Sequence, residues 1–172
     1  MPKRIRPQVF VGSSKRNKRL ADAIHKNLDD VADVTVWDQN VFQLTKSALE
    51  NLLERLERSD FAIFVFAPED ILTLRKRKFD AVRDNVVFEL GLFMGRLGPR
   101  RTFIVAPKGQ KRLRIPTDLS GITVGTFNPD RQDGNFEATL SPFCTEVTEQ
   151  LRKLGPFRTA RRRTRRKRAR GK

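Results

Sequence analysis

Phe61-Ala-Ile-Phe-Val-Phe-Ala67, halted by Pro68, is the segment from which the architecture can be read. It is apolar at every position, so it has no solvent face. A short run of that kind is expected of a strand buried on both sides at the centre of a parallel sheet. Upstream of it, Leu49, Leu52, Leu53 and Leu56 recur at helical spacing over residues 46–58. Before that helix, Val34-Thr-Val-Trp37 reads as a strand closed by Asp38-Gln-Asn40. Leu20, Ala21, Ile24 and Leu28 mark an earlier helix over 15–29, preceded by a first strand, Gln8-Val-Phe-Val-Gly12. Ser13 or Ser14 is placed to cap that helix.

Downstream, residues 69–83 read as a polar connection carrying Arg75, Lys76, Arg77, Lys78 and Arg83. Asp84 is then expected to cap a helix over 85–97, ended by Gly98-Pro99. Thr102-Phe-Ile-Val-Ala106 is a fourth strand, 107–121 a loop and 122–127 a weaker fifth strand. A turn-rich stretch, 128–135, leads to a last helix over 136–154, stopped by Gly155-Pro156. Strands alternating with helices predict an α/β fold, a flavodoxin-like doubly wound sheet of about five parallel strands with helices on both faces. In such folds ligands sit beyond the carboxyl ends of the strands. Here that rule selects residues 12–14, 37–42 and 68–84.

Composition sets the outer limits. The chain has 172 residues, the size of one domain. Its 36 Lys and Arg against 20 Asp and Glu give a net charge of +16. Ten of those cations, and no acid, fall in residues 156–172, which leaves the body at +6. Residues 1–155 are therefore read as the folded domain and 156–172 as a disordered basic tail. A polycation of that density is expected to touch nucleic acid or anionic lipid with little sequence preference. One cysteine, Cys144, and one histidine, His25, exclude a disulfide, a zinc cluster and a Cys–His or Ser–His engine beyond that lone histidine. His25 reads as a surface residue and Cys144 as a small core residue. No apolar stretch approaches the length of a membrane span, and Met-Pro-Lys-Arg-Ile-Arg-Pro7 lacks the apolar run of a signal peptide. The expected setting is cytoplasmic.

The chemically informative stretch is Arg83-Asp-Asn-Val-Val-Phe-Glu-Leu-Gly-Leu-Phe-Met-Gly95. Glu89 is the one charge between Val86 and Met94, and burying a carboxylate is costly unless it is paired. Two readings stand side by side: a functional carboxylate at the crevice, or a structural one paired with Arg83 or another arginine. Asn85, four residues earlier, shares its helix face. Gly91 and Gly95 suggest close approach of this helix to the sheet or to a second chain. Gly12-Ser13-Ser14 opens a helix and could meet an anion, although neither a Rossmann fingerprint nor a P-loop is present. Trp37 offers an aromatic face for stacking, or else seals the rim of the core.

Val9-Phe-Val-Gly-Ser-Ser14, Asp60-Phe-Ala-Ile-Phe-Val-Phe-Ala-Pro68 and Arg83-Asp-Asn-Val-Val-Phe-Glu-Leu-Gly-Leu-Phe-Met-Gly-Arg-Leu-Gly98 together resemble the TIR-like family of bacterial nucleotide-binding proteins. The likeness continues through Arg101-Thr-Phe-Ile-Val105 and Pro116-Thr-Asp-Leu-Ser-Gly-Ile122 and covers residues 8–127. It implies a TIR fold and an antiphage effector that degrades NAD⁺, with NAD⁺ as substrate and no cofactor. The family's catalytic glutamate falls on Glu89. Gly12, Ser13, Ser14, Trp37, Asp38, Arg83, Asp84 and Asn85 are then the expected substrate-binding residues. Many TIR enzymes carry Trp four residues before the glutamate; here that position is Asn85, which leaves ring stacking to Trp37. Family members often add a domain that senses a cyclic nucleotide, so a separate sensor protein and a homo-oligomer are expected partners. The chemistry suits so sparse a site. Nicotinamide leaves the ribose neutral and needs no protonation, so one carboxylate can serve where ordinary glycosidases need two. A non-catalytic TIR interaction module and a nucleoside deoxyribosyltransferase-like enzyme are the rival expectations.

Overall fold

The computed structural model describes residues 5–37, 47–119, 122 and 124–157. In chain order the strands are β1 (Gln8–Gly12), β2 (Asp33–Val36), β3 (Phe61–Val65), β4 (Asp70–Leu74), β5 (Arg77–Ala81), β6 (Thr102–Pro107), β7 (Leu113–Arg114) and β8 (Val124–Phe127). The α-helices are α1 (Lys18–Leu28), α2 (Ala48–Arg58), α3 (Asp84–Leu97) and α4 (Phe136–Leu154). Five strands form one parallel sheet in the order β2-β1-β3-β6-β8. Taken as first to fifth, that is the doubly wound order in which the crevice opens between the first and third strands.

Alternation along the strands divides the core into two layers. Val9, Val11, Phe61, Ile63, Val65 and Val105 face α1 and α4, where Ile24, Leu140 and Val147 meet them. Phe10, Ala62, Phe64, Phe66 and Ile104 face α2 and α3, against Leu52, Leu56, Leu90 and Phe93. The all-apolar 61–67 run is thus buried on both faces, as its composition requires. The α2 helix begins in a capping box. Ser47 Oγ accepts from the Glu50 amide, and the Glu50 carboxylate accepts from the Ser47 amide at 2.7 Å. Asn135 caps α4 by accepting from the Ala138 amide at 2.9 Å.

Three expectations are corrected. Residues 69–83 are not a plain connection: β4 and β5 form an antiparallel hairpin, and β7, inside the stretch read as a loop, pairs parallel with β5. The hairpin turn is Arg75-Lys76, both with positive φ, 47° and 66°. Such a turn matches strand twist, but it normally advertises itself through Asn or Gly, and here it is written in cations. Asp84 is not the cap of α3. Arg83 occupies that position, and the Asp84 carboxylate accepts from the Asn85 amide at 2.8 Å. Gly91 and Gly95 do not bring α3 close to the sheet. Both are exposed, and a Cβ on either would meet nothing within 4 Å. Most of the basic tail lies outside the described residues. Among the described residues no helix is long and apolar enough to cross a membrane.

Candidate active site

The carboxyl ends of β1, β2 and β3 deliver three segments to one place. Beyond β2, Trp37 continues the ladder by donating its amide to Val11 O at 2.9 Å. Its ring packs against Phe10, centroids 5.9 Å apart, and Phe10 stacks on Phe93 at 4.2 Å. Phe93 lies four residues after Glu89 on α3, so this aromatic layer leads directly to the carboxylate. Trp37 Nε1 donates to Glu89 Oε1 at 3.0 Å. Glu89 is only 3% exposed. A hydrogen bond to an ionised group contributes about 1.5–3 kcal/mol, part of what a buried charge needs.

This bond bears on both readings of Glu89. Arg83, the arginine proposed to neutralise it, instead reaches Asp70 at 2.9 and 3.2 Å. Arg96 is engaged with Glu57 and with the Ser59 carbonyl. The Trp37 indole is thus one partner of the carboxylate. Trp37 is correspondingly not a bare stacking platform: its N–H serves Glu89 and its ring packs on Phe10.

A cleft of about 570 Å³ opens beside the start of α3, lined by Ser14, Lys15, Arg16, Glu69, Asp70, Arg83, Asn85 and Val86. Ser14, Arg83 and Asn85 are therefore brought together in one cleft. Ser14 has the extended backbone of a cap, but its hydroxyl accepts from the Asn17 side chain at 3.0 Å rather than from a helix amide. Ser13 is buried next to it. Gly12 does not line the cleft. A Cβ there would meet Phe64 Cε1 at 2.5 Å, so packing accounts for this glycine. Asp84 is exposed at the first turn of α3, and Asp38 lies outside the described residues. Glu69 and Asp70 fall within the selected span 68–84, whereas Lys15 and Arg16 lie outside every selected span. The Lys-Arg pair directly after Ser14 was the available signal, since cations after a strand end fall at the crevice.

A larger cavity, about 610 Å³, lies elsewhere, between α4 and the β6–β8 edge, with Thr102, Phe103, Gly125, Phe143, Glu146 and Lys153 in its wall. It sits by the start of β6, at the end of the sheet opposite the crevice, and no site residue borders it. Position on the fold and the chemistry of the wall favour the smaller cleft. Of the two other reactive side chains, His25 is half-exposed on α1, 3.7 Å from Asp29. Cys144 is buried in α4.

Comparison with known proteins supplies the family. Residues 8–129 match the TIR domain of CAP12/Pycsar effector proteins. The Pycsar effector protein PaPycTIR of Pseudomonas aeruginosa is 40% identical over 149 residues, 86% of this chain and 48% of that protein. The CD-NTase-associated protein 12 of Flavobacterium daejeonense is 41% identical over 123 residues, 72% of this chain and 39% of that protein. The chain thus spans about half, or less, of the length of these relatives. A flavo di-iron protein mutant from Thermotoga maritima superposes with a TM-score of 0.54 over 88% of this chain and 36% of its own. At 11% identity that likeness speaks for the flavodoxin-like fold alone. By sequence, the chain belongs to the TIR domain family of CAP12/Pycsar effector proteins.

Proposed function

We propose that this TIR domain is an NAD⁺ glycohydrolase acting as an antiphage effector, with Glu89 as its catalytic residue. The observation that carries the reading is the buried Glu89 carboxylate oriented by the Trp37 indole at the crevice of the sheet. In the reaction the bond between ribose C1′ and the pyridinium nitrogen breaks, and its electron pair stays with nicotinamide. Water adds to C1′ and releases a proton, giving ADP-ribose. Positive charge develops on the ribose as the bond lengthens. A fixed carboxylate in a water-poor setting stabilises that charge with little reorganisation. Lys15, Arg16 and Ser14 line the neighbouring cleft, where they suit the diphosphate. The relatives are named as Pycsar effectors and as CD-NTase-associated proteins, which supports a separate signal-producing partner for this chain.

The test is nicotinamide release from NAD⁺ at high protein concentration, wild type beside Glu89→Gln. Glutamine keeps an acceptor for the Trp37 N–H and loses only the charge. Release by the wild type and a loss of at least about 10²-fold in the variant is the expected result. Equal release from both overturns the role of Glu89. Release of base from 2′-deoxynucleosides, with NAD⁺ untouched, would transfer the site to the deoxyribosyltransferase-like reading. Self-association with no turnover of either substrate would make the domain an interaction module.

A further inference from the structure

The small sheet β4-β5-β7 stands just after the carboxyl end of β3, and β4 is its outer strand. One side of β4 pairs with β5 from Asp70 to Leu74; among the described residues no strand pairs with the other side. Ile71, Leu72 and Leu74 are 69%, 36% and 37% exposed. Alternation puts Ile71 and Thr73 on one face of the hairpin and Leu72 and Leu74 on the other, so the edge is apolar on both faces. Proteins usually blunt such an edge with proline, a charge or a bulge, and residues 71–74 carry none of these.

Charge says what covers it. The strand is preceded by Glu69 and Asp70 and followed by Arg75, Lys76, Arg77 and Lys78. A strand added in parallel by a second copy would set the two cationic turns side by side. Added antiparallel, each cationic turn lies towards the other copy's half-buried Glu69 and Asp70, the second of which also holds Arg83 of its own copy. The partner that fits is therefore a strand with acids at its start, apolar residues through its middle and cations at its end, which is β4 itself.

We propose that β4 is a self-pairing edge, through which two copies of this chain join antiparallel about a two-fold axis. Such an interface is isologous, and main-chain hydrogen bonds supply much of its affinity. It has a consequence for the site that rests on the reading given under Proposed function. Glu69 and Asp70 line the cleft, so pairing delivers the partner's turn cations to the cleft rim, where they add to its affinity for a diphosphate.

Sedimentation velocity of the full chain over a range of concentrations tests the pairing without reference to activity. The wild type is expected to pass from monomer to dimer. Ile71→Lys with Leu72→Lys, both at exposed positions, is expected to weaken association at least about tenfold with no change in circular dichroism or melting temperature. A two-fold axis perpendicular to a sheet preserves its faces and so passes through a residue position rather than between two. One of Ile71→Cys, Leu72→Cys and Thr73→Cys is then expected to cross-link to itself under a mild thiol oxidant, while Glu149→Cys on exposed α4 does not. A wild type that stays monomeric, association that survives the double lysine variant, or no preference of the strand cysteines over the control overturns the proposal. Loss of nicotinamide release with pairing intact would overturn the enzyme reading alone.

Discussion

The two ends of the central sheet each bury a charged side chain and hold it in opposite ways. At the amino end, Arg101 is 6% exposed and spends its guanidinium on main-chain carbonyls: Gly155 O at 2.7 Å, Leu154 O at 3.2 Å and Asp60 O at 3.3 Å. Its plane lies over the Phe61 ring, 4.6 Å from the centroid. Asp60 beside it accepts from the Gln8 amide at 2.9 Å and the Phe157 amide at 2.8 Å. Burial pulls the Arg101 guanidinium below the ordinary arginine value, and the charge of Asp60 opposes that pull. This cluster joins the start of β1, the start of β6 and the end of α4, with its donors and acceptors turned inward. At the carboxyl end, Glu89 accepts from the Trp37 indole and sits on a helix whose preceding turn, Asn85 and Val86, lines a cleft. Equal burial therefore does not mean equal surroundings. Arg101 is enclosed within the chain, whereas Glu89, for which a catalytic role is proposed, lies one helical turn from a cleft.

Substitution should break that comparison cleanly. Glu89→Gln is expected to lower NAD⁺ turnover by at least about 10²-fold while the denaturation midpoint stays near wild type. A large fall in stability instead would return Glu89 to a structural role. Arg101→Ala should do the reverse. It removes a donor to three carbonyls and leaves Asp60 uncompensated, an expected loss of about 2–4 kcal/mol in urea unfolding. Below the transition, the turnover of whatever remains folded should match wild type. Reduced turnover at full folding would mean that the two ends are coupled.

Trp37→Phe sharpens the comparison from within the site. Phenylalanine preserves the contact with Phe10 and deletes the donor to Glu89. With the charge intact but its orientation lost, turnover is expected to fall about 10- to 100-fold, the equivalent of one charge-assisted hydrogen bond. An unchanged rate would leave Trp37 as a rim residue only. The same residue shows where reading the chain succeeds and where it stops. Five parallel strands, their helices and the crevice follow from local pattern, because each apolar run reports its own burial. Glu89 stood out because it interrupts such a run. Its bond to Trp37 spans 52 positions, and no local pattern encodes a contact at that range. The β4–β5 hairpin was hidden for a different reason. Its turn is made of Arg75 and Lys76 in a backbone conformation that usually selects Asn or Gly, and its strands carry exposed residues on both faces, so alternation fails as a guide.

Cys144 supplies a third case, a buried ionisable group with neither enclosing partners nor a cleft. On α4, packed among Leu140, Phe143 and Val147, its thiol is pushed up to about 12 from 9.0 by burial alone. The thiolate is the reactive form, so at pH 8 the folded chain presents almost none of it. Iodoacetamide is expected to label the native protein only as fast as it unfolds, and to label it rapidly in denaturant. The sign of the linkage follows from the same shift. Between pH 9 and 12 the unfolded chain ionises its cysteine while the folded chain does not, so this group's contribution to stability is whole below pH 9 and shrinks as pH rises through that window. Cys144→Ser should flatten that part of the alkaline limb. Rapid labelling of the native chain at pH 8 would mean that α4 opens readily, and that the tight packing seen at the amino end does not extend along the helix.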